Sequence, residues 1–141
     1  VAGLFSGRGF NIESLCVAET LDPNVSRITL VTSGSPAIVE QIIKQLRKLI
    51  NVIKVVDLTE TEFVEREMAL IKVRAEANFR AEVLRIVDIF RCKVVDVSPK
   101  FYTLEVTGSA GKIEALLALL SHLGIEEIVR TGKIAITRSK K

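Results

Sequence analysis

Along these 141 residues, alternating apolar runs and amphipathic helical stretches follow one another in the same order twice, with Gly- and Pro-bearing turns between them. That pattern predicts an α+β chain built as two ferredoxin-like βαββαβ domains in tandem, the split-βαβ plan. Length and composition agree, because 48% hydrophobic residues in a chain of this size suffice for one ordinary core or two small ones.

The first half opens with Val1, Leu4 and Phe5 at helical spacing, and Gly7 or Gly9 can end that helix in the left-handed conformation. Ile12 to Ala18 reads as a strand, the polar turn Asp22-Pro23-Asn24 follows, and Arg27 to Thr32 reads as the next strand. Ser33-Gly34-Ser35-Pro36 breaks the run and offers Ser35 as an N-cap with Pro36 at the first helical position. Ile38, Ile42, Leu46 and Leu49 then recur every three or four residues beside Lys44, Arg47 and Lys48, the signature of an amphipathic helix. Val52 to Leu58, rich in β-branched residues, is expected as a further strand. The order is helix, strand, strand, helix, strand. A strand before Val1 would complete the plan, so the first domain is expected to lack its opening strand, with about 15 to 25 residues preceding the given sequence.

The second half predicts the plan in full. Met68 to Ala75 alternates as a strand, and Phe79, Val83, Ile86, Val87 and Phe90 mark a helix. Val94 to Val97 and Tyr102 to Thr107 read as two more strands, and Gly108-Ser109-Ala110-Gly111 precedes a helix whose apolar face holds Ile113, Leu116, Leu117, Leu120 and Leu123. Gly124 ends that helix, and Ile125 to Val129 and Lys133 to Thr137 read as short strands about a turn at Thr131-Gly132. The expected division is a first domain over residues 1–60, a charged linker over 61–67 anchored by Phe63 and Val64, and a second domain over 68–141. Each half is near the lower size limit for an independent core, and each sheet is expected to leave apolar surface for dimerisation or docking to bury.

Composition narrows the function classes. No apolar run approaches the roughly 20 residues that span a bilayer, and the start has no signal-peptide pattern. Net charge is +3, with 6 Lys+Arg against 6 Asp+Glu in residues 1–60 and 14 against 11 in 61–141, a surplus too small to imply nucleic acid. Cys16 and Cys92 have no Cys-x-x-Cys spacing and only His122 as a further soft ligand, so no metal site is expected. Both cysteines are expected to be small buried hydrophobes in a reducing compartment.

The most informative stretch is Gly7-Arg8-Gly9-Phe10-Asn11-Ile12-Glu13-Ser14, which runs from a helix end through a two-glycine turn into a strand. Asn11 carries both an acceptor and a donor beside backbone N–H groups freed by the turn, enough to meet an ammonium and a carboxylate together. The competing reading has Asn11 bonding only its own turn backbone, and the residues alone leave both open.

The chain resembles the small regulatory subunits of acetolactate synthase, also called acetohydroxyacid synthase. The residues that carry the likeness are Gly3-Leu4-Phe5-Ser6, Arg8-Gly9-Phe10-Asn11-Ile12-Glu13-Ser14-Leu15, Asp22-Pro23, Ser26-Arg27 and Gln41 to Leu46 with Lys48-Leu49. In the second half they are Val64-Glu65-Arg66-Glu67, Leu70-Ile71-Lys72-Val73, Ile89-Phe90-Arg91, Asp96-Val97, Thr107-Gly108, Gly111-Lys112 and Arg130-Thr131-Gly132. The resemblance implies an N-terminal ACT domain, an amino-acid-binding variant of the ferredoxin-like fold, and a smaller C-terminal domain. It implies a subunit without catalytic residues or cofactor of its own, in branched-chain amino acid biosynthesis. Such subunits bind and activate the large catalytic subunit and transmit feedback inhibition by branched-chain amino acids, usually valine. Thiamine diphosphate, magnesium and FAD are expected on that catalytic partner only. ACT domains of the family pair as homodimers with the effector at their interface, and the effector-binding positions that match here are Gly9, Asn11 and Ile12. No membrane or nucleic-acid partner is implied, and the expected location is the cytoplasm, or a plastid were the source a plant or alga. The alternative is a stand-alone amino-acid-binding ACT protein that regulates a different enzyme.

Rival readings of the same topology find less support. An acylphosphatase-like site is not visible around Asn78 or Arg80, and His122 at a helix end suits an exposed or capping role. RNA-recognition modules stack bases on strand aromatics, whereas aromatic residues are only 5% here and Phe101-Tyr102 is the sole adjacent pair. An amino-acid-sensing transcription factor would need a DNA-binding helix pair that this sequence does not contain. For contact with a catalytic partner, Arg91, Lys93, Arg130 and Lys133 are the candidates, each with a solvated surface role as the simpler reading.

Overall fold

The computed structural model describes residues 12–49, 51–59 and 61–139. They form two compact units: one extends to Val64 and includes the segment from Lys133 onward, and the other is Glu65–Gly132. Residues 133–139 cluster by contact with the first of these units.

In the first unit, β1 (Ile12–Glu19) and β2 (Ser26–Thr32) pair antiparallel. Their connection is built on side-chain hydrogen bonds: Asp22 Oδ1 accepts from the Asn24 N–H at 3.0 Å, and Thr20 Oγ1 accepts from the Asp22 N–H at 3.2 Å. This is how Asp and Thr make a turn without a glycine. Helix α1 (Pro36–Arg47) starts as its sequence requires, with Ser35 in extended conformation, its Oγ accepting from the Ile38 N–H, and Pro36 in the first turn. Lys44 and Arg47 sit in the last turn, where cations oppose the negative end of the helix dipole. Of the predicted apolar face only Ile42 is buried, while Leu46 and Leu49 are half-buried and Ile38 is exposed.

One expectation fails between α1 and the second unit. Val52 to Leu58 forms no strand, and Ile53 and Val56 are exposed. β-branched composition alone cannot make a strand, which needs a neighbouring backbone, and 52–58 has no ladder partner among the described residues. Within the stretch 61–67, expected as a linker anchored by Phe63 and Val64, Phe63 to Glu67 are the first part of β3 (Phe63–Arg74). Its charges follow the strand alternation, with Arg66 exposed and Glu67 buried.

The second unit reproduces the predicted plan. After β3 come α2 (Arg80–Phe90), β4 (Lys93–Val97), β5 (Phe101–Gly108), α3 (Ala110–Ser121) and β6 (Ile125–Arg130), in the sheet order β4-β5-β3-β6. Neighbours are antiparallel throughout, and β3 pairs on both edges, Ile71 facing Leu104 of β5 and Ile128 of β6. Alternation sends Ala69, Ile71 and Val73 to the same side as Tyr102, Leu104 and Val106, where they pack with Val83, Ile86 and Val87 of α2 and Ile113, Leu116 and Leu120 of α3. The other face is mixed: Met68, Leu70 and Val129 leave apolar surface exposed on it, while Lys72, Thr103 and Glu127 share the next row and Lys72 Nζ lies 3.6 Å from Glu127 Oε2. A final strand, β7 (Ile134–Thr137), lies off this four-strand path and pairs with β3.

The two helices of the second unit end differently. Past α3, Gly124 adopts φ 108°, donates to the Leu120 carbonyl and accepts from the Arg74 N–H at 2.9 Å, a left-handed corner suited to glycine. Past α2 the left-handed position is held by Arg91 at φ 55°, which lets the Cys92 N–H reach the Val87 carbonyl at 3.0 Å. An L side chain in that conformation carries a steric cost that glycine avoids. Arg91→Gly is therefore expected to stabilise the chain by about 0.5 to 1 kcal/mol, read as a higher midpoint in urea unfolding, and a lower midpoint would contradict it.

Candidate functional site

The sequence places the candidate site at the corner Gly9-Asn11-Ile12. Gly9 and Asn11 lie outside the described residues, and Ile12 opens β1, half-buried, opposite Thr32. The ladder is irregular there: Ile12 faces Thr32 and Ser14 faces Val31, so Glu13 is one residue more than the partner strand supplies. A bulge of this kind bends the strand and redirects the neighbouring side chains.

Beyond the bulge the two faces of the β1–β2 pair differ. Leu15 with Leu30 and Val17 with Ile28 put four aliphatic side chains on one face, and Leu15, Val17 and Ile28 are 39%, 57% and 43% exposed. The opposite face carries Ser14, Cys16 and Ala18. There the Ser14 Oγ accepts from the Lys133 N–H at 3.0 Å, and Arg27 Nη2 donates to the Ala135 carbonyl at 2.8 Å. Nothing in the sequence pairs Ser14 with a residue 119 positions away. Its only signal is a hydroxyl in register with Ile12 and Cys16, where a polar group needs a partner.

In the second unit the chemistry is structural. Glu67, 5% exposed, accepts from Nε of Arg130 at 3.0 Å and also from its Nη2, while Arg130 Nη1 donates to Glu114 Oε1 at 2.8 Å. Two carboxylates thus hold the guanidinium, and these hydrogen bonds, to Glu67 first, push its pKa further up. Arg130 is therefore engaged within its own chain, whereas Lys93 and Arg91 are exposed. Arg80 likewise serves the fold: it lies 5.9 Å over the Tyr102 ring and donates to the Ala75 and Pro99 carbonyls.

The cysteines are half-buried rather than buried, because β1 and the end of α2 both lie at the margin of their packing. Burial pushes the Cys92 thiol up, and nearby Lys112 opposes this only in part. His122 caps the end of α3 and is exposed. Among the described residues no three of His, Cys, Asp and Glu converge as a metal site would require, and no helix is long and apolar enough to cross a membrane.

Known proteins match both halves. A family model described as the small subunit of acetolactate synthase matches residues 66–139, and one described as an AHAS small subunit-like ACT domain matches residues 1–54. The acetolactate synthase small subunit of Aquifex aeolicus is 52% identical over 139 residues, covering 98% of this chain and 72% of the relative. That of Mycobacterium bovis is 50% identical over 141 residues, covering 100% and 84%. The crystal structure of the small subunit from Thermotoga maritima superposes with a TM-score of 0.89 at 44% identity, over 99% of this chain and 88% of that one. The two-domain, ferredoxin-like α+β architecture is shared with that structure.

Arg130→Ala would leave the Glu67 carboxylate buried without its partner. The expected loss is about 1.5 to 3 kcal/mol in denaturant unfolding, and Glu114→Ala, which removes only an exposed partner, should cost under about 1 kcal/mol. Equal losses from the two substitutions would show that burial of Glu67 is not what makes the pair matter.

Proposed function

This chain belongs to the family of acetolactate synthase small subunits, and from that premise we propose that it is a non-catalytic regulatory subunit. It binds the large catalytic subunit, raises its activity and carries feedback inhibition by branched-chain amino acids, valine foremost. Thiamine diphosphate, magnesium and FAD belong to that partner under this reading. The observation that carries the proposal is the similarity of both halves to one kind of subunit, at about half identity along nearly the whole chain.

The effector corner follows from the chemistry of the ligand. An α-amino acid presents an ammonium, a carboxylate and one apolar group. Asn11 brings an acceptor and a donor in its side chain, and Ile12 brings an apolar side chain. Burying an isopropyl group contributes roughly 1.5 to 3 kcal/mol, which separates valine from glycine or alanine. It separates valine from leucine or isoleucine poorly, because one methylene changes discrimination by only about 10- to 200-fold. The exposed aliphatic face of Leu15, Val17 and Ile28 supports pairing of two copies through their ACT domains. Inhibition then requires that the ligand favour one arrangement of the pair over another, with a coupling of typically about 1 to 3 kcal/mol. The cytoplasm is the proposed location.

The decisive experiment mixes the chain with acetolactate synthase large subunits, tests copurification, and assays acetolactate formation with and without valine. A stable complex, higher activity and inhibition by valine are expected. Failure to bind or activate any large subunit would sink the proposal, and valine binding without such a complex would favour an ACT protein that regulates another enzyme.

Asn11→Ala tests the corner. Losing a charge-assisted hydrogen bond should weaken valine binding by about 10- to 100-fold in calorimetry while activation of the catalytic subunit persists. Unchanged inhibition would remove Asn11 from the site.

A further inference from the structure

The sheet of the second unit ends in two open edges. In the order β4-β5-β3-β6 the outer sides of β4 and β6 meet no further strand among the described residues, and β7 pairs with β3 rather than with β6. Each outer strand therefore presents backbone N–H and C=O groups that its inner neighbour does not use, a template on which another chain can add a strand. Side chains add to the hazard. Val95 and Val97 of β4 are 51% and 62% exposed, and Ile128 and Val129 of β6 are exposed too, so both edges combine β-branched residues with apolar surface.

Both edges carry the same irregularity, and the centre of the sheet does not. Val94 faces Leu104 and Asp96 faces Thr103, so Val95 is one residue more than β5 supplies. On the opposite edge Lys72 faces Glu127 and Val73 faces Ile125, which leaves Glu126 without a counterpart on β3. Between these edges β3 and β5 match residue for residue, from Glu67 with Gly108 to Arg74 with Phe101. A bulge leaves one residue out of the ladder, bends its strand and increases the local twist. On an outer strand it deprives an incoming chain of the straight, evenly spaced row of hydrogen-bonding groups that strand addition needs. The surroundings act in the same sense. β4 has only 5 residues, opens with Lys93 and runs into Ser98-Pro99, while Glu126 and Glu127 put two carboxylates in β6.

We propose that the bulges at Val95 and Glu126 close both edges of this sheet to strand addition by a second copy of the chain, so that the second unit makes its contacts through its faces. The register shows how each edge could be opened. Without Val95, the residues Lys93, Val94, Asp96 and Val97 keep Glu105, Leu104, Thr103 and Tyr102 as partners in an unbroken ladder. Without Glu126, Ile125 and Glu127 keep Val73 and Lys72 in the same way. Either deletion straightens an edge while every remaining pair of the sheet is retained.

The test uses the full chain and two variants, one lacking Val95 and one lacking Glu126. Mass by light scattering and amide hydrogen exchange are followed as the protein concentration is raised about a hundredfold. Each deletion is expected to raise the mass above that of the parent at the same concentration. It should also slow exchange at least about tenfold at those amides of the straightened strand that do not bond its inner neighbour. Val95→Ala and Glu126→Ala keep the extra residue and should match the parent, whose edge amides should exchange at a rate independent of concentration. A folded deletion variant with the parent's mass and edge exchange would overturn the proposal and leave the bulges a matter of core packing. Association of the alanine variants would overturn it as well, because the side chain and not the bulge would then be the barrier. Edge protection that grows with concentration in the parent would overturn it whether or not either deletion folds.

Discussion

Strand β3 must satisfy hydrogen bonds on both edges and bury one face, and the second unit is organised around that demand. Being antiparallel to β3, β5 and β6 run parallel to each other, and β4 runs parallel to β3, so the β3–β4 and β5–β6 connections have to leave the sheet and return, and α2 and α3 are those returns. Because both helices lie on one side, the residues of β3 divide cleanly: Ala69, Ile71 and Val73 meet α2 and α3, while Leu70, Lys72 and Arg74 face away. The core is almost wholly aliphatic, and its one large polar participant, Tyr102, lies at the margin under the Arg80 guanidinium.

Such a strand cannot also be a flexible link. The charged stretch that reads as a boundary is used instead to place Glu67 where Arg130 can neutralise it, next to the end of β6. A buried carboxylate is unfavourable unless paired and hydrogen-bonded, so this arrangement fixes the relation of β3 to β6 more sharply than an apolar pair would. The same constraint explains the turn that follows: Thr131 is held against Met68, and Gly132 supplies the left-handed residue that lets the chain depart.

The described part of the chain carries little reactive chemistry. Its charged side chains are tied to one another or solvated, and its reactive groups are few: half-buried cysteines, with the Cys92 thiol held up by burial, and an exposed histidine at a helix end. Under the proposed regulatory reading, function lies in recognising a small zwitterion and in coupling that event to a partner. Only differential binding between two arrangements can regulate a partner, so contacts that differ between arrangements matter more than tight ones.

Periodicity alone was enough for the βαββαβ plan of the second unit, for α1 with its Ser35 cap, and for the β1–β2 pair, because these depend on local alternation, capping and turn chemistry. The candidate corner at Gly9, Asn11 and Ile12 was named from a resemblance of residues, and Gly9 and Asn11 lie outside the described residues. Tertiary structure decided the rest. Val52 to Leu58 has strand composition without a ladder partner among the described residues, Phe63 to Glu67 open β3, and residues 133–139 cluster by contact with the first unit. In each case the outcome turned on which distant backbone lies alongside, and pairing between residues as far apart as Ser14 and Lys133 leaves almost no trace in the local pattern of either.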